Sequence, residues 1–116
     1  MSVTKTVELG EVDLDLMESV AKDMGYQTAR NSQCRLYNSS EEADLVIRDI
    51  CKGRDLGFRE TQTGVKAVYD SEDAPKYSEV MAEYLERIVT RRSRGRFKVI
   101  GREKTGQKLV LNLRRV

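Results

Sequence analysis

Seven apolar residues, Tyr77, Val80, Met81, Tyr84, Leu85, Ile88 and Val89, recur at i, i+3, i+4 and i+7 spacing. Only a period near 3.6 residues puts all of them on one side, so this stretch must be an amphipathic helix. Its ends are marked too. Asp73 or Ala74 suits the cap and Pro75 the first turn, whose proline needs no N–H partner. Arg91, Arg92 and Arg94 gather at the far end, where cations suit the helix dipole, and Gly95 stops it. Glu79, Glu83 and Glu86 take the outward side. Val80, Met81, Tyr84, Leu85 and Ile88 are therefore the expected buried face.

A second, shorter stripe predicts a helix over residues 14–24. Leu16, Met17, Val20, Ala21 and Met24 carry it, Asp13 is a good N-cap, and Gly25 sits where a C′ glycine ends a helix. The rest reads as strands. Residues 3–9 form a first strand closed by Gly10. Residues 26–37 form another, with Arg30-Asn31-Ser32-Gln33 as a break or turn. Asn38–Glu41 is a loop and Ala43–Ile50 a central strand. Leu56–Glu60 and Val65–Tyr69 make a hairpin around Thr61-Gln62-Thr63-Gly64. Phe97–Arg102 and Lys108–Arg115 make a second hairpin. Period-2 alternation there sends Phe97, Val99, Leu109, Leu111 and Leu113 to one face. Arg96, Lys98, Arg102, Lys108 and Arg114 go to the other. The order β-α-β-β-β-β-α-β-β predicts an α+β fold. One domain spans residues 1–116, with a single antiparallel or mixed sheet and both helices on one face. A ferredoxin-like arrangement is one of several that fit this order.

Composition removes whole classes of chemistry. The chain of 116 residues has no histidine and two cysteines. Ser–His and Cys–His nucleophile pairs are excluded within one chain, and so is a structural zinc site. Cys34 and Cys51 lie beside Leu36 and Ile50 and read as reduced, small buried hydrophobes. No catalytic set, cofactor or metal site is expected, and the chain is read as non-enzymatic. Asp13/Asp15 and Glu41/Glu42/Asp44 could attract a hard cation. A helix cap with a first-turn charge, and a solvated loop, explain them better. Gly53-Arg54-Asp55-Leu56-Gly57 lacks the spacing of a phosphate loop. The opening Met1-Ser2-Val3-Thr4-Lys5 has no apolar core of a signal peptide, and no apolar run is long enough for a membrane helix. An intracellular setting with no membrane partner follows as the expectation.

Charge carries the functional hint. Residues 1–86 hold 10 Lys/Arg against 18 Asp/Glu, a net −8. Residues 87–116 hold 11 Lys/Arg against Glu103 alone, a net +10. Arg91-Arg92-Ser93-Arg94-Gly95-Arg96 is the densest run. Helix-end cations explain part of it, but the bias continues through the following hairpin. Arg91, Arg92, Arg94, Arg96, Lys98, Arg102, Lys104 and Lys108 are the expected contacts to nucleic-acid phosphates. The alternative is an acidic protein surface or a second copy of the chain, as in an adaptor or homo-oligomer. Arg94-Gly95-Arg96-Phe97-Lys98-Val99 partly matches an RNA-recognition strand but lacks its first aromatic residue.

Several stretches together carry a family resemblance. They are Met24-Gly25-Tyr26, Ala43-Asp44-Leu45-Val46-Ile47-Arg48, Asp55-Leu56-Gly57-Phe58-Arg59, the tyrosine-bearing helix, and Gln107-Lys108-Leu109-Val110-Leu111-Asn112-Leu113-Arg114. The layout resembles the hypothetical chloroplast reading frame thirty-five family of plastids, cyanobacteria and other prokaryotes. The opening Met1-Ser2-Val3-Thr4 departs from the family's Met-Ser-His-Phe, so no N-terminal histidine role carries over. The resemblance implies no activity, cofactor or catalytic residue. It implies a cytoplasmic or plastid-stroma setting and an accessory role beside an AAA-type ATPase.

Overall fold

A computed structural model describes the backbone of residues 3–93, 97–105 and 108–115, and the side chains of residues 3–91. The chain divides into two compact units, Met1–Tyr77 and Ser78–Val116.

The first unit holds β1 (Thr4–Gly10), α1 (Leu14–Asp23), β2 (Thr28–Arg35), β3 (Ser40–Cys51), β4 (Arg54–Thr61) and β5 (Gly64–Asp70). A short 3₁₀ turn, Ser71–Asp73, follows, and then α2 (Ala74–Ser93) begins. The five strands form one sheet in the order β1-β5-β4-β3-β2, antiparallel at every pairing. Strands β2 to β5 are thus a meander, and β1 adds to its β5 edge. α1 carries the chain from one edge to the other. The fold is α+β, as the element order predicts. Four strands separate the helices where a ferredoxin-like unit has two, so that finer expectation finds no support.

α1 forms where its caps say it should. The Asp13 carboxylate accepts the Leu16 N–H at 3.1 Å. At the other end the Gly25 N–H donates to Lys22 and the Tyr26 N–H to Ala21. Together these make a Schellman motif, with Gly25 at φ 96°. Leu14, Met17, Val20 and Ala21 are buried. The polar side ties the helix to β2, through Thr28 Oγ1 donating to Glu18 at 2.7 Å and Arg30 pairing with Asp15 at 3.0 Å.

β2 is continuous through the expected break. Asn31 absorbs the irregularity at φ 48° while the pairing to β3 keeps one register. β3 is longer than predicted, beginning at Ser40. Its Leu45, Val46 and Ile47 are buried in succession, the pattern of a strand covered on both faces. α1 lies against β3 and β2. Elsewhere β2 itself supplies cover, because its C-terminal end folds over β4 and β5. Cys34 sits so close to Gly57 that a Cβ there would lie 3.0 Å from both Cys34 Sγ and Val68 Cγ1. Cys34, Leu36, Ala43, Val46 and Val68 form one buried cluster at this overlap.

The second unit contains most of α2, then β6 (Phe97–Thr105) and β7 (Lys108–Arg115). Val80, Met81 and Tyr84 are buried as predicted, whereas Leu85 and Ile88 are only half-buried. β6 and β7 pair antiparallel as a separate two-stranded sheet, which corrects the expectation of a single sheet. Among the described residues no helix is long and apolar enough to cross a membrane.

Candidate functional site

Of the eight predicted contact residues, Arg91 lies exposed near the end of α2, and Arg92 occupies the next helical position. Lys98, Arg102 and Lys104 are on β6 and Lys108 on β7. The predictions for Arg94 and Arg96 fall outside the described residues. The register pairs Lys98 with Arg114 and Lys108 with Thr105, but Arg102 with Leu111 and Lys104 with Leu109. A shift between Val99 and Gly101 separates the Lys98–Arg114 pair from the other three and changes the parity of the later β6 positions relative to it. The unbroken alternation that would gather Arg96, Lys98, Arg102, Lys108 and Arg114 on one face is therefore interrupted once within the described strands.

The first unit contains a charge cluster that the sequence reading missed. Asp55, Asp70 and Asp73 are its buried carboxylates. Asp55 stands at the start of β4 and is fully buried. It accepts from Arg35 Nε at 3.0 Å and Nη2 at 2.8 Å, and from Arg48 Nη1 at 2.9 Å. It also accepts the backbone N–H groups of Arg35 at 2.8 Å and Asp49 at 2.9 Å. Burial alone would raise its pKa. The bonds from Arg35, the two backbone donors and Arg48 outweigh burial and hold it at about 2. One carboxylate thus fastens the end of β2 and the irregular part of β3 to β4. Asp49, at φ 52°, completes the corner by accepting from Arg35 and from the Gly53 N–H.

Asp73 forms the second half. Arg54 grips it with two bonds of 2.9 and 2.8 Å. The Cys51 thiol is also bonded to it, and this bond, aided by burial, raises the thiol pKa. Burial works against the ionised Asp73 carboxylate, yet Arg54 and Cys51 hold its pKa below the usual value. Asp70 accepts the Tyr37 N–H at 2.7 Å and lies 3.9 Å from Arg54. Cys34 is buried as expected, and burial, with the nearby Asp55 charge, pushes its thiol up to about 12. Cys51 is only half-buried, so its expected role as a core hydrophobe is corrected to that of a hydrogen-bond donor.

Chemically, this cluster holds the fold together. A carboxylate with five donors has no lone pair available for a proton, so Asp55 is not poised as a base. Four of the five acidic groups weighed for metal binding have other engagements. Asp13 caps α1, Asp15 pairs with Arg30, Glu41 pairs with Arg59, and Asp44 accepts the Glu60 N–H. Among the described residues no group of three cysteine or acidic side chains could hold a metal ion. An open depression of about 380 Å³ lies beside β1 and the β4–β5 turn. Glu8, Thr61, Thr63 and Lys66 line it, and Glu8 pairs with Lys66. No family model, curated protein or solved structure matches the chain.

Proposed function

We propose that this protein is a non-enzymatic binding module that engages nucleic-acid phosphates, largely regardless of sequence. The residues assigned to contact are Arg91, Arg92, Arg94, Arg96, Lys98, Arg102, Lys104 and Lys108. One observation carries the reading: the charge divides along the boundary between the two units. Met1–Tyr77 holds 10 Lys/Arg against 15 Asp/Glu, a net −5, and Ser78–Val116 holds 11 against 4, a net +7. The arginines of the first unit are already committed. Arg30, Arg35, Arg48, Arg54 and Arg59 each pair with a carboxylate of the same unit. The second unit has too few acidic side chains to do the same, and a surplus of cations gathers phosphates by releasing their counterions.

The module would act inside the cell, in cytoplasm or plastid stroma, where such polymers occur. An accessory role beside an ATPase, implied by the family resemblance, fits a binding module. The test is fluorescence anisotropy with unrelated oligonucleotides. Binding near micromolar at about 50 mM salt should fall steeply by about 200 mM. Replacing Arg96, Lys98 and Lys108 together with serine should weaken binding evenly across sequences. Absence of salt-dependent binding refutes the reading. Salt-sensitive self-association in its place would assign the basic unit to a second copy of the chain.

A further inference from the structure

Resting on that phosphate-binding reading, the backbone of the second unit narrows the polymer. β6 and β7 are nine and eight residues long and pair only with each other among the described residues. A paired ribbon of that size is about 30 Å long at roughly 3.4 Å per residue. One turn of duplex DNA spans about 34–36 Å, and its major groove admits a two-stranded ribbon.

The register adds a second constraint. Lys98–Arg114 and Lys108–Thr105 are pairs of one parity along the ribbon, whereas Arg102–Leu111 and Lys104–Leu109 are pairs of the other. The shift between Val99 and Gly101 produces this split. Cations thus occupy register positions of both parities. That distribution suits a ribbon lying between two phosphate walls better than one laid flat on a single strand. Residues 97–115 carry six Lys/Arg against Glu103, a net +5. Two competing polymers fit less well. Single strands are held by aromatic stacking platforms, and Phe97 is the only aromatic residue in 87–116. Duplex RNA has a major groove too deep and narrow for such an element.

We propose that the β6–β7 ribbon enters the major groove of B-form DNA, making duplex DNA the preferred ligand. The experiment titrates the full chain against a labelled duplex DNA of about two turns, the duplex RNA of the same sequence and each single strand. Salt runs from about 50 to 200 mM. Guanine N7 methylation protection is then read on the bound DNA duplex. Duplex DNA should bind about tenfold or more tighter than the other polymers. Its log–log salt slope should be about −4 to −5, the value for five phosphates, and guanine N7 atoms should be protected. Equal, salt-dependent binding to all the polymers would overturn the groove assignment and leave the phosphate-binding reading standing. A bound duplex with unprotected N7 atoms would do the same. No salt-dependent binding to any polymer would remove both.

Discussion

Replacing Asp55 with asparagine tests what holds the first unit together. The change keeps the size of the side chain and removes its charge. Wild-type Asp55 accepts from two guanidiniums and two backbone N–H groups at a fully buried position. An asparagine oxygen can serve only part of this set, and its NH₂ group faces donors. Breaking a buried pair costs about 3–5 kcal/mol where the remaining charge stays buried. Here Arg35 and Arg48 keep 45% and 24% of their side-chain surface, so water can rehydrate both after the loss. The lower end, about 3 kcal/mol, is the expected cost at pH 7. A carboxyl lowered from the ordinary range to about 2 independently implies roughly 2 kcal/mol by linkage. The folded-state pKa is depressed, so this stabilisation is present above the unfolded value near 4 and is lost as pH falls toward 2. Urea denaturation followed by circular dichroism should show the midpoint falling by roughly 1–2 M at pH 7. The gap between variant and wild type should narrow as pH falls from about 4 toward 2. A gap of unchanged size at low pH would show that the cost is steric, and a shift under about 0.5 kcal/mol would refute the structural role of Asp55.

Two further outcomes follow from the overlap of β2 with β4 and β5. Gly57→Ala should destabilise the first unit by about 1–3 kcal/mol, because its Cβ would meet Cys34 Sγ, Cys34 Cβ and Val68 Cγ1 at 3.0–3.1 Å. Adding Cys34→Ala should recover only part of that loss, since the other two contacts remain, and a thermal midpoint unchanged by Gly57→Ala would contradict the overlap. Cys34 should react with an aromatic disulfide reagent only as fast as the unit opens, because its thiol is buried and its pKa raised to about 12. Labelling of Cys34 on mixing, mapped by mass spectrometry against a Cys51→Ser background, would show that the site is open.

The helices were legible because their signals are local. The cap at Asp13 and the stop at Gly25 lie within two residues of the ends they set, and α1 runs between them. The β4–β5 hairpin was legible for the same reason, with Thr61 paired to Gly64 across a two-residue loop. The antiparallel meander was implied by the run of strands. The curl of β2 over β4 and β5 was not, because no local pattern marks it. It depends on a glycine at 57 that permits close approach and on an aspartate at 55 that accepts from donors 20 and 7 residues away. In the sequence Asp55 looks like a turn residue beside Gly53. Its position directly before the buried Leu56-Gly57-Phe58 run was the one available signal, since a charge there must find partners. Leu85 and Ile88 show the converse limit. Periodicity places them on the stripe, but it cannot say how deeply each position along the stripe is buried.

The contrast between the two sets of arginines follows from which carboxylates lie within reach. Arg35, Arg48 and Arg54 are hydrogen-bonded to acids that the sheet excludes from water, which fixes their forks and gives each a structural role. Between residues 87 and 116 the eleven cations have Glu103 as the only acidic side chain in that stretch. Pairing with exposed acids elsewhere contributes only about 0–1 kcal/mol per pair and is screened by salt, so it cannot hold such an excess firmly. A polyanion offers a dense row of charges and gains from counterion release at each contact. The same residue type therefore builds the fold in the first unit, and in the second its excess over acidic side chains is what the proposed polyanion would neutralise. Converting two of the ribbon lysines, Lys98 and Lys108, to glutamate should weaken polyanion binding far more than it changes unfolding of the first unit, whereas Arg35→Ala should do the reverse.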